Sequence, residues 1–327
     1  MNKNKTVFFM MTVISSMITM CSNSWMGMWM GMEMNMLSFI PLVKKKKSKK
    51  SSEAVMMYFM VQSLSSSVLM FSIIINSMIN NNSQMINTIT FMSLMAKMGA
   101  APFHMWLPEM MAKMEWNECM MMMTWQKLAP MSVSMNTAPK TEVVMMTAIM
   151  SILVGSMGGI NQTSIRKIMG YSSINHLGWM IPLNKIQNNW MIYLMIYSMM
   201  IISTCSMFKE YNMKFITQVN SMNLSFTEKT SYIMSMMSLG GMPPLIGFLP
   251  KWMVIQSMMQ SNMNMMMMIM IMMSMINLFF YMRTMSPMIM SQSTINKWVK
   301  TNHKPMIINT NIMVNMSLPM LTMLNII

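Results

Sequence analysis

The run LMAKMGAAPFHMWLP, residues 94–108, decides how this chain is read. It starts as an apolar helix, carries a lysine inside it, and then breaks. Pro102 has no N–H to donate, and Gly99 loosens the turn before it. The break frees carbonyl groups within an apolar stretch, and at membrane depth these are tolerated only where protein or a hydrated cavity surrounds them. A charge at the centre of a membrane helix costs roughly 2.5–3.5 kcal/mol on insertion scales. Lys97 therefore marks a place that faces protein or water. The same holds for Glu33, Lys127 and Lys251, which also fall inside long apolar stretches.

Working outward from that run, the 327 residues are 54% hydrophobic and 9% charged, with a mean hydropathy of +0.41. A soluble domain carries about 25% charged residues, so composition excludes a water-covered globule and requires an integral membrane protein. Apolar stretches at roughly 6–22, 25–43, 54–79, 85–108, 117–138, 142–162, 167–184, 189–208, 229–258, 263–285 and 306–326 predict helices, most near the ~20 residues that span the hydrocarbon. Ser, Asn and Thr interrupt several of them. The fold class expected is all-α: a polytopic membrane helix bundle of about eleven transmembrane helices, two of them broken, forming a single domain over 1–327. The linkers at 209–228 and 286–305 are too small to fold alone. The basic start at Lys3 and Lys5 runs into apolar sequence without a cleavage pattern. Cys21, Cys119 and Cys205 are scattered and predict buried apolar residues rather than a disulfide frame or a metal site.

Methionine makes up 68 of the residues and stands where Ile or Leu would serve, along the whole chain. An AT-rich animal mitochondrial gene, in which AUA reads as Met, explains this load and the abundance of Asn, Lys and Ile.

Charge orders the loops. If the helices alternate sides, 18 of the 23 basic residues fall on the side of the N-terminus and two, Lys140 and Lys185, on the other. The remaining three are Lys97, Lys127 and Lys251. Such a split is what the positive-inside rule requires; in a mitochondrial membrane it puts the N-terminus in the matrix. The lysine run at 44–50 reads as a topogenic loop that also touches anionic lipid headgroups. It carries no aromatic interleaving, so no nucleic-acid partner is expected.

Five places are candidates for the chemistry. Glu33, near the middle of 25–43, is either a polar contact to a neighbouring helix, a proton acceptor, or the counter-ion of a lysine. His104, in the break after Lys97, is a proton relay or a hydrogen-bonded structural residue. Lys127 sits mid-helix in TWQKLAP, residues 124–130. Snorkelling to an interface is its alternative, but each interface is roughly 15 Å away at a rise of ~1.5 Å per residue. The second break, GGMPPLIGFLPK at 240–251, ends in Lys251. Two interrupted segments, each with a lysine, form the pattern of transporters built from repeats. Tyr171, Ser172, Ser173, Asn175 and His176 make a polar cluster that lines a proton path or packs between helices. There is no dinucleotide fingerprint, Walker loop or His/Cys cluster, so no cofactor is expected in this chain.

These residues carry a resemblance. WMGMWMGMEMNMLSFIP (25–41), residues 97–108 and 124–130, GYSSINHLG (170–178) and residues 240–252 resemble the subunit 2 family of mitochondrial NADH:ubiquinone oxidoreductase, respiratory complex I. The match runs in order over nearly the whole chain, and the animal members lack the first few helices of the bacterial counterpart. The resemblance implies an antiporter-like subunit of the H+-translocating NADH:ubiquinone reductase, in the mitochondrial inner membrane, contacting other membrane-arm subunits. It implies that Glu33 pairs with Lys97, that Lys127 passes protons centrally, that Lys251 faces the exit half, and that His104 and His176 are lesser path members. NADH, FMN, iron–sulfur clusters and ubiquinone would bind elsewhere in the complex. Two other readings are a stand-alone cation/proton antiporter and a purely structural membrane scaffold.

Overall fold

The computed structural model describes residues 3–44, 48–79, 84–137, 139–186, 189–221, 225–290 and 305–318. Among these the chain is helical, apart from one antiparallel bridge between Ser164 and Phe215. The elements are α1 (Lys3–Cys21), α2 (Trp25–Val43), α3 (Lys49–Ile79), α4 (Gln84–Met98), α5 (Trp106–Lys113), α6 (Trp116–Met123), a single 3₁₀ turn (Trp125–Lys127), α7 (Leu128–Asn136), α8 (Thr141–Ile160), α9 (Ile165–Ile186), α10 (Trp190–Glu210), α11 (Ile216–Ser221), α12 (Phe226–Gly240), α13 (Phe248–Gln260), α14 (Asn264–Met290) and α15 (Pro305–Asn315).

Local chemistry explains many of the boundaries. Ser24 caps α2 by accepting from the Gly27 amide, and Pro41 falls in the last turn of that helix. Glu115 and Glu118 form a capping box on α6, as Ser225 and Glu228 do on α12. Gly99 and Gly241 directly follow α4 and α12 with φ of +74° and +79°, a conformation that only glycine adopts freely. The Ser and Thr residues that interrupt the apolar stretches do not break them. Their hydroxyls donate to the carbonyl three residues earlier, as Ser15 does to Thr12, Ser65 to Gln62, Ser151 to Ala148 and Ser235 to Tyr232. A hydroxyl satisfied within its own helix can be buried in an apolar setting without orphaning a polar group.

The outer faces are apolar and the inner faces hold the polar groups. On α1, Thr12, Ser15, Ser16 and Thr19 are buried while Val7, Met10, Ile14 and Met17 are exposed; on α3, Leu64, Phe71 and Met78 face outward. That inversion suits lipid around the helices, since exposed apolar area on this scale is not sustained in water. Four of the described helices, α3, α8, α10 and α14, are long and apolar enough to cross a membrane by themselves.

The chain divides into two units, residues 1–151 and 152–327. In the first, α1 packs along α2, α2 on α3, α3 on α4 and α5, and α7 on α1 and α4. Gly31 lets α1 and α2 approach closely: a Cβ there would stand 2.5 Å from Thr19 Cγ2. In the second, α9 packs on α10 and α13, and α12 on α10, α14 and α15. Gly155 brings the end of α8 against the backbone of α9, where a Cβ would lie 2.7 Å from the Asn175 amide nitrogen.

The structure revises the expected elements in three places. The stretch at 117–138 is not one helix: it splits into α6, the 3₁₀ turn and α7, with Lys127 in the turn. The third helix starts at Lys49 rather than near 54, so the end of the lysine run is helical. The 209–228 linker holds the short α11. Lys45, Lys46 and Lys47, the basic residues of the 286–305 linker after Met290, and the part of the final expected helix beyond residue 318 lie outside the described residues.

Candidate functional site

In the first unit, α2 and α4 bring two charges together. Glu33 Oε1 lies 3.7 Å from Lys97 Nζ, with the lysine side chain 4% and the glutamate 20% exposed. The lysine is thus nearly sealed while its counter-ion keeps an outward edge. Lys97 stands in the last turn of α4, where the helix stops at Gly99. Its own carbonyl is freed by that stop, and Gln62 of α3 donates to it at 2.9 Å. His104 occupies the same break, half-buried, with Nδ1 3.1 Å from the Pro102 carbonyl oxygen; that bond stays within the loop. The Ala101–Pro102 peptide is cis.

Lys127 is 2% exposed. The turn that holds it follows Thr124, whose hydroxyl and backbone N–H both donate to the Met120 carbonyl, at 2.7 and 3.1 Å, and α6 ends one residue earlier. Pro130, with no N–H, fits the first turn of α7. Gln126, the neighbour of Lys127, is tied to α2 by a reciprocal amide pair. Asn35 Nδ2 donates to Gln126 Oε1 at 3.0 Å, and Gln126 Nε2 donates to Asn35 Oδ1 at 3.1 Å. The Tyr58 hydroxyl donates to the same Gln126 oxygen at 3.4 Å. Beside this group is a cavity of about 20 Å³ lined by Met32, Asn35, Tyr58, Gln62, Lys97, Met122, Gln126, Ala129 and Pro130.

In the second unit, Lys251 is 5% exposed in the first turn of α13. Its ammonium donates to the Gly240 carbonyl at 2.6 Å, across the break between α12 and α13. The ammonium lies 5.9 Å from the centre of the Trp179 ring. This repeats the logic of Lys97: a lysine at a broken helix, with a freed carbonyl matched by a side-chain donor. His176, on α9, is buried; its Nδ1 lies 2.9 Å from the Tyr193 hydroxyl and its ring 4.6 Å from that of Tyr197. Tyr171, Ser172, Ser173 and Asn175 surround it in sequence on the same helix. Among the described residues no three His, Cys, Asp or Glu side chains converge on one point.

Known proteins resemble the chain over nearly its whole length. It is 39% identical to NADH-ubiquinone oxidoreductase chain 2 of Locusta migratoria over 91% of this chain and 89% of that one. The identity to the same protein of Oryctolagus cuniculus is 36%, covering 98% of both. The chain belongs to the NADH-ubiquinone oxidoreductase chain 2 family. A family model described as NADH:quinone oxidoreductase/Mrp antiporter, TM, matches residues 22–277. Among solved structures, a chain of respiratory complex I from Thermus thermophilus superposes with a TM-score of 0.85 at 16% identity, covering 98% of this chain and 78% of that one. A chain of the Mrp complex from Dietzia sp. does so with 0.77 at 14% identity, covering 88% and 61%. At these identities the structures establish a shared fold, the antiporter-like membrane fold.

Within this family member, Glu33 and Lys97 meet in the first unit. Lys127 stands in its own turn of that unit, and Lys251 and His176 lie in the second. The residues that sequence reasoning passed over are Tyr58 and Gln62, with Asn35 and Gln126 noticed only as parts of motifs. Their one signal was an amide or phenol within an apolar run, which also describes many structural residues.

Proposed function

We infer that the chain is a core membrane subunit of respiratory complex I, contributing to proton translocation across the mitochondrial inner membrane while electrons pass from NADH to ubiquinone. The observation that carries this reading is the setting of its three buried lysines. Lys97, Lys127 and Lys251 are each at most 7% exposed, and each stands at an interruption of a helix. An ammonium held out of water at a helix break is stable only with compensating partners, so its protonation responds to neighbouring charge. Glu33 is the partner of Lys97, and a change of charge on either alters the proton affinity of the other. Lys127 passes protons centrally and Lys251 serves the exit half, with His104 and His176 as lesser members of the path.

In this reading the whole of 1–327 works as one antiporter-like domain of about eleven spans, with its N-terminus in the matrix. Other membrane-arm subunits of the complex are its partners, and anionic lipids meet the lysine run at 44–50. Electron carriers (FMN and iron–sulfur clusters), NADH and ubiquinone bind on other subunits, and this chain contributes proton chemistry alone. Relatives named as chain 2 of an NADH-ubiquinone oxidoreductase, matched over 91% and 92% of this chain, favour a subunit over a free-standing antiporter.

The test is Lys127→Met in the intact complex, reconstituted in vesicles. NADH-driven acidification should fall, measured as protons moved per NADH oxidised. A complex that pumps at the full ratio without this ammonium would overturn the reading.

A further inference from the structure

We propose that Asn35 and Gln126 are positioning residues for Lys127, and that the cavity they border is a fixed water site between Lys97 and the turn that carries Lys127. The inference rests on the proton-translocating role of the lysines argued above. It assigns work to residues that carry no charge.

Geometry supports the positioning role first. The turn at 125–127 is a single 3₁₀ turn between two helices, and its closing bond from the Lys127 amide to the Thr124 carbonyl is long at 3.4 Å. Backbone bonding alone holds such a short turn weakly. Gln126 ties it to α2 through two amide bonds, of 3.0 and 3.1 Å, with Asn35 5% and Gln126 9% exposed. A buried amide that loses its partner keeps its full desolvation penalty, so the pair favours one placement of the turn. Lys127 is joined to that placement by a single peptide bond.

The cavity supports the water site. A cavity needs about 10–15 Å³ to hold one water, which in turn needs two to four polar partners. This one measures about 20 Å³ and is lined by five polar side chains: Asn35, Tyr58, Gln62, Lys97 and Gln126. Each amide NH₂ of the pair spends one proton on the other amide and has a second to give. The Glu33–Lys97 separation of 3.7 Å is longer than a direct hydrogen bond, which leaves the Lys97 ammonium with donor capacity for water.

The experiment uses the intact complex in vesicles and reads protons pumped per NADH oxidised. Gln126→Leu should lower that ratio, and the exchange Asn35→Gln with Gln126→Asn, which rebuilds the pair with its combined length unchanged, should restore it. Ala129→Val extends apolar bulk into the cavity from a fully buried position without touching an amide; it should lower the ratio too. A map of the unaltered complex at a resolution that shows ordered water should place one in the cavity. The proposal is overturned if Gln126→Leu and Ala129→Val both pump at the full ratio while Lys127→Met does not, or if the map shows the cavity dry. Should Gln126→Leu fail to assemble, Ala129→Val and the map decide. A Lys127→Met complex that pumps fully overturns the underlying reading instead.

Discussion

Replacing Gly241 by alanine should damage the protein far more than replacing Gly240, its neighbour. Gly241 has φ of +79°, and a Cβ built there would lie 2.7 Å from Lys251 Nζ and 2.8 Å from both Cδ and Cε. Holding alanine in the left-handed region costs about 1–2 kcal/mol. The lysine cannot swing aside freely, because it is 5% exposed and its ammonium is bonded to the Gly240 carbonyl at 2.6 Å. Breaking that charged hydrogen bond costs a further 1.5–3 kcal/mol or so, for about 2.5–5 kcal/mol in all. Gly240 ends α12, and a Cβ there would meet its nearest side-chain atoms at 3.6 Å or more, ordinary contact distances. Alanine at that position removes a flexible glycine from a helix, an effect of about 0.5–1 kcal/mol in the stabilising direction. The assay is the amount of assembled complex on native gels after graded heating, with pumping per NADH on the assembled fraction. Gly241→Ala should melt earlier and pump less, while Gly240→Ala should melt no earlier than the parent and pump as it does. Equal behaviour of the two variants would refute the packing argument around Lys251.

Other perturbations test other contacts. Glu33→Gln leaves the Lys97 ammonium without its counter-ion, and the loss should stay below the about 3–5 kcal/mol of a fully buried pair because Glu33 is 20% exposed. Assembly should recover in the double variant Glu33→Gln with Lys97→Met, but pumping should not; native gels and vesicle acidification read the two separately. Gly155→Ala pushes a methyl to within 2.7 Å of the Asn175 backbone nitrogen and 3.0 Å of its Cα. Backbone cannot rotate away as a side chain can, so assembled complex should fall sharply on native gels, and Gly155→Ser should do no better. Glu53 pairs with Lys113 at 2.9 Å, but the side chains are 58% and 31% exposed. Exposed pairs contribute little, so Glu53→Gln should leave both assembly and pumping as they were.

Much of the helical framework was legible along the chain. The stretch at 25–43 coincides with α2 to the residue, because a serine cap and a run of apolar side chains define it locally. The breaks after Lys97 and before Lys251 were legible for the same reason: glycine and proline act on their own backbone. The break at Lys127 was not. No glycine or proline precedes Lys127 in MMMMTWQKLAP to mark a break, and the amide pair that ties the turn down reaches from another helix. His104 was legible only by its closeness in sequence to Lys97; that its ring nitrogen lies 3.1 Å from the Pro102 carbonyl oxygen of its own loop is seen in the structure alone.

The chain by itself determined that apolar helices carry one glutamate and three lysines within them, since the transfer of a side chain from water depends on its chemistry and its neighbours in sequence. Only the tertiary structure decided what those charges meet. Glu33 faces Lys97 across two helices, Gln62 covers the carbonyl that the first break exposes, and Lys251 covers the one exposed at the second. Asn35 and Gln126 find each other from 91 positions apart. Hydrogen bonds and ion pairs act over a few ångströms, so such partners are chosen by packing in space and leave no trace in the order of residues.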